Sequence, residues 1–247
     1  MSTTDVFDAL AAEEDRLDKI LRSLDDSQWA VESECPGWTV ADVVLHLAQT
    51  EEGVLATLEG RSTRIPVDGA ATVDDAMDQW VDAQRGAPGR DVHARWNAAR
   101  KSALDALRVA DPQRPVAWAA APLKPKTLAT TRLSEHWIHA TDIAYPLGID
   151  LPDTDNLHHV AWLASRTLPF AFARAGRADP PPVRFELESP SGELWVFGPD
   201  DAECVVRGPA GRFLRIAARR LDPGDAPEVT ATGERGVEVL ELVRTYA

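Results

Sequence analysis

Cysteine is nearly absent: only Cys35 and Cys204 occur in 247 residues, so no disulfide framework organises this chain. Lysine is almost as scarce, confined to Lys19, Lys101, Lys124 and Lys126. Arginine carries most of the positive charge, and 40 acidic residues outweigh it to a formal net charge of -14. Such a field repels nucleic acid and anionic membrane surfaces. No apolar run is long enough to span a bilayer, and the acidic start "MSTTDVFDALAAEEDR" has no signal-peptide character. A cytoplasmic location is therefore expected. Several chemical signatures are also missing: G-x-G-x-x-G after a strand, a Walker A loop, a G-x-S-x-G elbow, a C-x-x-C pair and H-E-x-x-H. Nucleotide, acyl-serine, thioredoxin and zincin chemistries have no support.

What is present reads mainly as helix. Phe7, Leu10, Leu17, Leu21 and Leu24 form a helical seam, with Thr3 or Thr4 as expected N-cap and Glu14 as a carboxylate reaching to the seam's edge. After the Pro36-Gly37 turn, Thr39 and Asp42 form a capping pair. The helix they open runs toward Gly60 with Val43, Leu47, Val54 and Leu58 inward, and His46 beside that face. Residues 72–111 predict helix interrupted at Gly86-Ala87-Pro88-Gly89, and a Pro-studded connection follows, with 116–119 extended. A further helix begins near Thr130, and another follows "PDTD". From Pro180 short β-rich runs alternate with "SPSG" and "PDD", then with helices over "GPAGRFLRIAARRL" and "ERGVEVLELVRTYA". The expected plan is mainly α plus α+β: a helical bundle over 1–150, then a bridging helix and a small α+β domain over 151–247.

The stretch "TTRLSEHWIHATDIAY" places Arg132, Glu135, His139 and Asp142 on one helical stripe. Two readings stand. The stripe is either a surface ion network beside a hydrogen-bonded core histidine, or a ligand set. Glu135 and His139, at i and i+4, can reach one ion, and His46 on another helix can join them. Two imidazoles and a carboxylate with an open position are a catalytic zinc set, and Fe(II), Ni(II) or Mn(II) can use the same face. Asp142 or Arg132 would then orient a ligand. His136 is a rival partner for His139 but lies about 60° away around the helix. His158 and His159 read as capping or surface residues, and His93 as a residue packing at the start of its helix.

"CPGWTVADVVLHLAQTE" and "TRLSEHWIHATDIAYPLGI" resemble the two hallmarks of the mycothiol-dependent maleylpyruvate isomerase family, within the DinB-like metal-binding bundles. The resemblance implies a DinB-like four-helix bundle followed by a small, sterol-carrier-like α+β domain. It implies a metal, usually zinc, on His46, Glu135 and His139, and mycothiol as cosubstrate for isomerisation of, or S-transfer to, a small electrophile. It also implies Arg220 as an active arginine, although the glycine expected before it is here Arg219. The alternative expectation is a non-catalytic protein that binds a divalent metal or small ligand. Oligomeric state is left open, and eight tryptophans are compatible with a homodimer.

Overall fold

The structure is a computed structural model, and it describes residues 4–61, 72–118 and 121–245. It divides into two compact units, Asp5–Leu151 and Pro152–Ala247, with Thr4 grouped with the second.

The first unit is built on four long helices: α1 Val6–Arg22, α2 Val40–Leu58, α4 Gly89–Val109 and α5 Pro125–Ala144. A shorter helix, α3 Val73–Asp82, lies between α2 and α4 in sequence. Their ends follow from local chemistry. Asp5, not Thr3 or Thr4, caps α1, its carboxylate accepting from the Phe7 amide at 3.0 Å. Aspartate competes well for this role, and Thr3 lies outside the described residues. The predicted Thr39–Asp42 pair is a complete capping box on α2, and Thr72 with Asp75 makes another on α3. Pro125 opens α5 at a position where its missing N–H costs nothing. At Gly89, the first residue of α4, an added Cβ would lie 2.2 Å from the Trp29 ring, so only glycine admits this approach.

Leu17, Leu21, Val43, Leu47, Trp96 and Ile143, drawn from all four long helices, belong to one buried cluster. Glu14 corrects the sequence reading. It is fully buried, not at an edge, with Arg100 Nη1 of α4 3.5 Å from its Oε2. Helix α5 is buried around most of its circumference, including Arg132 and Asp142 at 2% and 1% exposure. Its polar stripe therefore faces the bundle interior rather than solvent.

The second unit opens with α6 Leu157–Arg174. A four-stranded sheet follows in the order β2-β1-β3-β4, with β1 Val183–Glu188, β2 Leu194–Phe197, β3 Cys204–Pro209 and β4 Thr230–Ala231. β1 pairs antiparallel with β2, parallel with β3, and β3 pairs antiparallel with β4. Alternation along β1 buries Val183, Phe185 and Leu187. Phe185 meets Phe213 of α7 Ala210–Ala217 with ring centroids 5.4 Å apart. Helix α8, Gly236–Leu242, adds buried Val239. The fold is thus mainly α plus α+β. Among the described residues no helix is long and apolar enough to cross a membrane, and both cysteines are buried thiols.

Candidate metal centre

The site grows from a turn and two helices. Cys35-Pro36-Gly37-Trp38 closes with the Trp38 amide donating to the Cys35 carbonyl at 3.0 Å, and Gly37 takes a φ of 79°. Proline at the second position and a left-handed glycine at the third make a type II turn. The turn delivers the chain to the Thr39 cap, and α2 then carries His46 inward to 6% exposure. Helix α5 faces it with Glu135 and His139.

The structure brings the three predicted residues together. His46 Nε2 and His139 Nε2 each lie 3.5 Å from Glu135 Oε2, and the imidazole centroids are 5.2 Å apart. One donor atom from each residue lies within 4.8 Å of the other two. Separations of 3.5 Å are long for charge-assisted hydrogen bonds. They are close to the ligand-to-ligand edge of a tetrahedral zinc ion, about 3.3–3.4 Å for bonds of 2.0–2.1 Å. The donor set therefore fits a divalent cation.

Neighbours set the state of each donor. His139 Nδ1 lies 2.9 Å from Asp142 Oδ2, so this nitrogen carries the proton and donates to the carboxylate. That leaves Nε2 directed at Glu135, the arrangement that second-shell carboxylates impose on metal-ligating histidines. Burial disfavours the His139 imidazolium, but hydrogen bonds to Asp142, Cys35 and Glu135 outweigh it and raise its pKa well above the usual histidine range. Burial lowers the pKa of His46, with Glu135 only partly opposing, so its lone pair is available near neutral pH. Burial also opposes ionisation of Glu135, yet His139 and His46, with Arg132 behind them, hold its carboxyl well below the usual range.

A second buried group, Glu14, Glu51 and His136, also has ligand-like spacing. It does not suit a cation. Trp96 Nε1 can only donate, and it donates to His136 Nε2 at 3.1 Å. His136 Nδ1 must then donate to the Arg132 carbonyl at 2.9 Å, so neither nitrogen offers a lone pair. Burial, followed by Arg132, pushes the His136 pKa well below the usual range. His136 is thus a neutral core histidine, and the rival His136–His139 pairing is not formed. Arg132 binds Glu51 Oε1 and Thr50 Oγ1, both at 2.7 Å, so its direct partners lie on α2 rather than at Glu135.

The remaining candidates have partners of their own. His93 meets Asp18 at 2.7 Å at the start of α4. His158 packs on Trp195 and Phe197, and His159 reaches the Thr4 carbonyl at 2.8 Å. Arg220 follows α7 in the second unit, with Nη1 donating to the Ala218 carbonyl at 3.2 Å. Arg219, where the resemblance expects glycine, keeps the glycine-like backbone at φ 61°. Its amide bonds the Ile216 carbonyl and the Arg220 amide bonds the Arg215 carbonyl, which is the Schellman pattern. Sequence reasoning passed over Cys35 and Trp38 as site residues. Their one signal was their place in the hallmark turn before α2.

Comparison with known proteins follows the same lines. The family model described as "Mycothiol maleylpyruvate isomerase N-terminal domain" matches residues 10–144. Uncharacterized proteins MT0041 and Rv0036c, from two strains of Mycobacterium tuberculosis, are each 30% identical over 246 residues, covering 96% of this chain and 93% of their own length. A solved structure of the mycothiol-dependent maleylpyruvate isomerase superposes with TM-score 0.63 at 16% identity, covering 96% of this chain and 94% of that one. The structure of a histidine-to-alanine mutant of that enzyme gives 0.64 at 15% identity with the same coverage. At this identity the structural likeness speaks for the fold.

Proposed function

We propose, because this chain belongs to the mycothiol maleylpyruvate isomerase family defined by that N-terminal domain, that it is a metal-dependent enzyme acting through a low-molecular-weight thiol. The thiol is mycothiol, and the reaction is isomerisation of, or S-transfer to, a small electrophile. The observation that carries this reading is the convergence of His46, Glu135 and His139 on a common point between two helices. These three residues would hold the cation, with zinc the best match to two imidazoles and one carboxylate. When bound, the cation supplies a Lewis-acidic position at which a thiol is favoured as thiolate near neutral pH.

The chain's own residues do the rest. His46, kept neutral by burial, offers a lone pair without first losing a proton. Asp142 fixes the orientation of the His139 ring through Nδ1. Glu135 supplies the negative charge, and its side chain retains 23% exposure while the two imidazoles keep under 10%, so solute approaches past the carboxylate. Arg220 is the proposed anchor for a substrate carboxylate, through its planar two-pronged guanidinium. Its replacement by alanine should raise KM more than it lowers kcat.

The deciding experiment is elemental analysis of protein purified without added ions, paired with a mycothiol titration. Stoichiometric zinc, nickel or iron is expected in the native protein. Mycothiol should bind tightly only while the metal is present. His46→Ala and His139→Ala should each lose the metal with the helical circular-dichroism signal intact. Full metal occupancy in both variants would end the assignment. Metal-dependent thiol binding without turnover on any electrophile would leave a binding protein in place of an enzyme.

A further inference from the structure

Two imidazoles must hold their rings still for the cation site just described, and the structure supports them unequally. His139 is oriented by a hydrogen bond to Asp142. His46 has no such bond: its Nδ1 is buried without a hydrogen-bond partner among the described residues. Both rings nevertheless touch the same four-residue turn. Cys35 Sγ donates to Asp142 Oδ2 at 3.1 Å, the same oxygen that receives the His139 proton, and lies 3.6 Å from His139 Nδ1. Trp38, at the other end of the turn, packs on the His46 ring with centroids 5.1 Å apart and planes inclined at 46°.

The turn is itself tied down. The Cys35 amide donates to Ser33 Oγ at 3.1 Å, and Ser33 Oγ donates to the Trp38 carbonyl at 2.8 Å. The Glu34 amide donates to the Asp142 carbonyl at 3.1 Å, anchoring the turn to the end of α5. The indole is fixed from the far side, where Nε1 donates to Asp78 Oδ1 of α3 at 2.8 Å.

We propose that Cys35-Pro36-Gly37-Trp38 is a brace whose two ends position the two imidazoles: Cys35 through Asp142 on His139, and Trp38 by ring packing on His46. Cys35 and Trp38 are then positioning residues, and the thiol of Cys35 acts as a hydrogen-bond donor rather than a nucleophile. The Pro36-Gly37 pair sets the span between the two contacts, since the type II turn needs glycine's left-handed φ. The proposal rests on the metal reading of His46, Glu135 and His139.

The test is zinc affinity, measured with Zn²⁺ alone by competition against a chromophoric chelator, beside melting of the metal-free protein. Loss of an outer-shell partner weakens metal binding about 10–100-fold. Cys35→Ala should weaken zinc binding about tenfold, at the lower end of that range because the contact is indirect. Cys35→Ser, which still donates, should stay within about threefold of the native protein. Trp38→Leu should lose about tenfold, while Trp38→Phe keeps most of the affinity. If Cys35→Ala does not fold, Cys35→Val fills the volume without donating and replaces it. His139→Ala separates the two levels of argument. If it binds zinc as the native protein does, the metal reading falls and the brace with it. If it loses zinc while Cys35→Ala stays within twofold of native, the brace alone is refuted. Equal losses in the serine and alanine variants, tracking equal losses in melting temperature, also refute it, because packing would then explain both.

Discussion

Glu14→Gln is the sharpest probe of the bundle interior. Glu14 has no exposed surface, and its Oε1 has no hydrogen-bond partner among the described residues. Burial, reinforced by the charge of Glu51 and only partly opposed by Arg100 and Arg132, raises its pKa well above the usual carboxylate range. The folded chain therefore keeps a proton that the unfolded chain releases once pH passes the ordinary glutamate value of about 4.3. Between that pH and the folded pKa, the native state binds more protons than the unfolded state. Its stability falls as pH rises, by up to about 1.4 kcal/mol per pH unit for one full proton. Glutamine keeps the shape and removes the titration. Arg100 remains held by Asp15 at 2.9 Å and Asn97 at 2.8 Å, so the substitution strands no cation. Urea unfolding of metal-free protein from pH 4.5 to 8.5 should show the variant gaining on the native protein as pH rises, with the difference levelling above the folded pKa. Glu51→Gln is the contrast. It removes the 2.7 Å counterion of buried Arg132, and should destabilise by about 3–5 kcal/mol near neutral pH. A Glu14→Gln curve parallel to native, or a native protein that gains on the variant with rising pH, would refute the reasoning.

Three further outcomes are expected. Trp96→Phe leaves His136 Nε2 buried without its 3.1 Å donor and should cost about 1–3 kcal/mol in urea unfolding. Arg219→Gly relieves a left-handed non-glycine residue, at the loss of an exposed hydrogen bond to the Glu241 carbonyl, and should raise stability by about 0.5–1 kcal/mol in the same assay. Asp142→Asn exchanges the carboxylate that receives the His139 proton for a neutral amide, and should weaken zinc binding about 10–100-fold by chelator competition.

The order of elements and the ligand candidates were legible because they depend on local rules. The Thr39–Asp42 box, the Gly86–Gly89 interruption and the short β-rich run that becomes β1 are all short-range patterns. Glu135 and His139 share a helix, so their spacing alone placed them together. Glu14 was misread because a lone carboxylate in an apolar seam ordinarily escapes to solvent. It stays inside with its proton, beside Arg100, 86 residues further along the chain. Cys35 escaped notice for the same reason: its meaning lies in Asp142, 107 residues away. The state of His136, the rival partner for His139, was likewise a tertiary matter, since its Nε2 accepts from the Trp96 indole.

Burying four ionisable side chains along one helix, and partly burying a fifth, opposes the binary pattern that stabilises a bundle, since each desolvated charge costs several kcal/mol unless it is paired. In α5 the pairing can be followed residue by residue. Arg132 is matched by Glu51, His136 by Trp96 and a backbone carbonyl, and His139 by Asp142, all at 3.1 Å or less. Glu135 is the exception: among the described residues its recorded partners are two imidazole nitrogens at 3.5 Å. Leucine would serve stability better at that position. A carboxylate kept ionised, half enclosed and held slightly too far from both histidines is what a cation-binding pocket requires. The mismatch between what α5 needs to fold and what it carries is therefore the strongest physical argument for function in this chain.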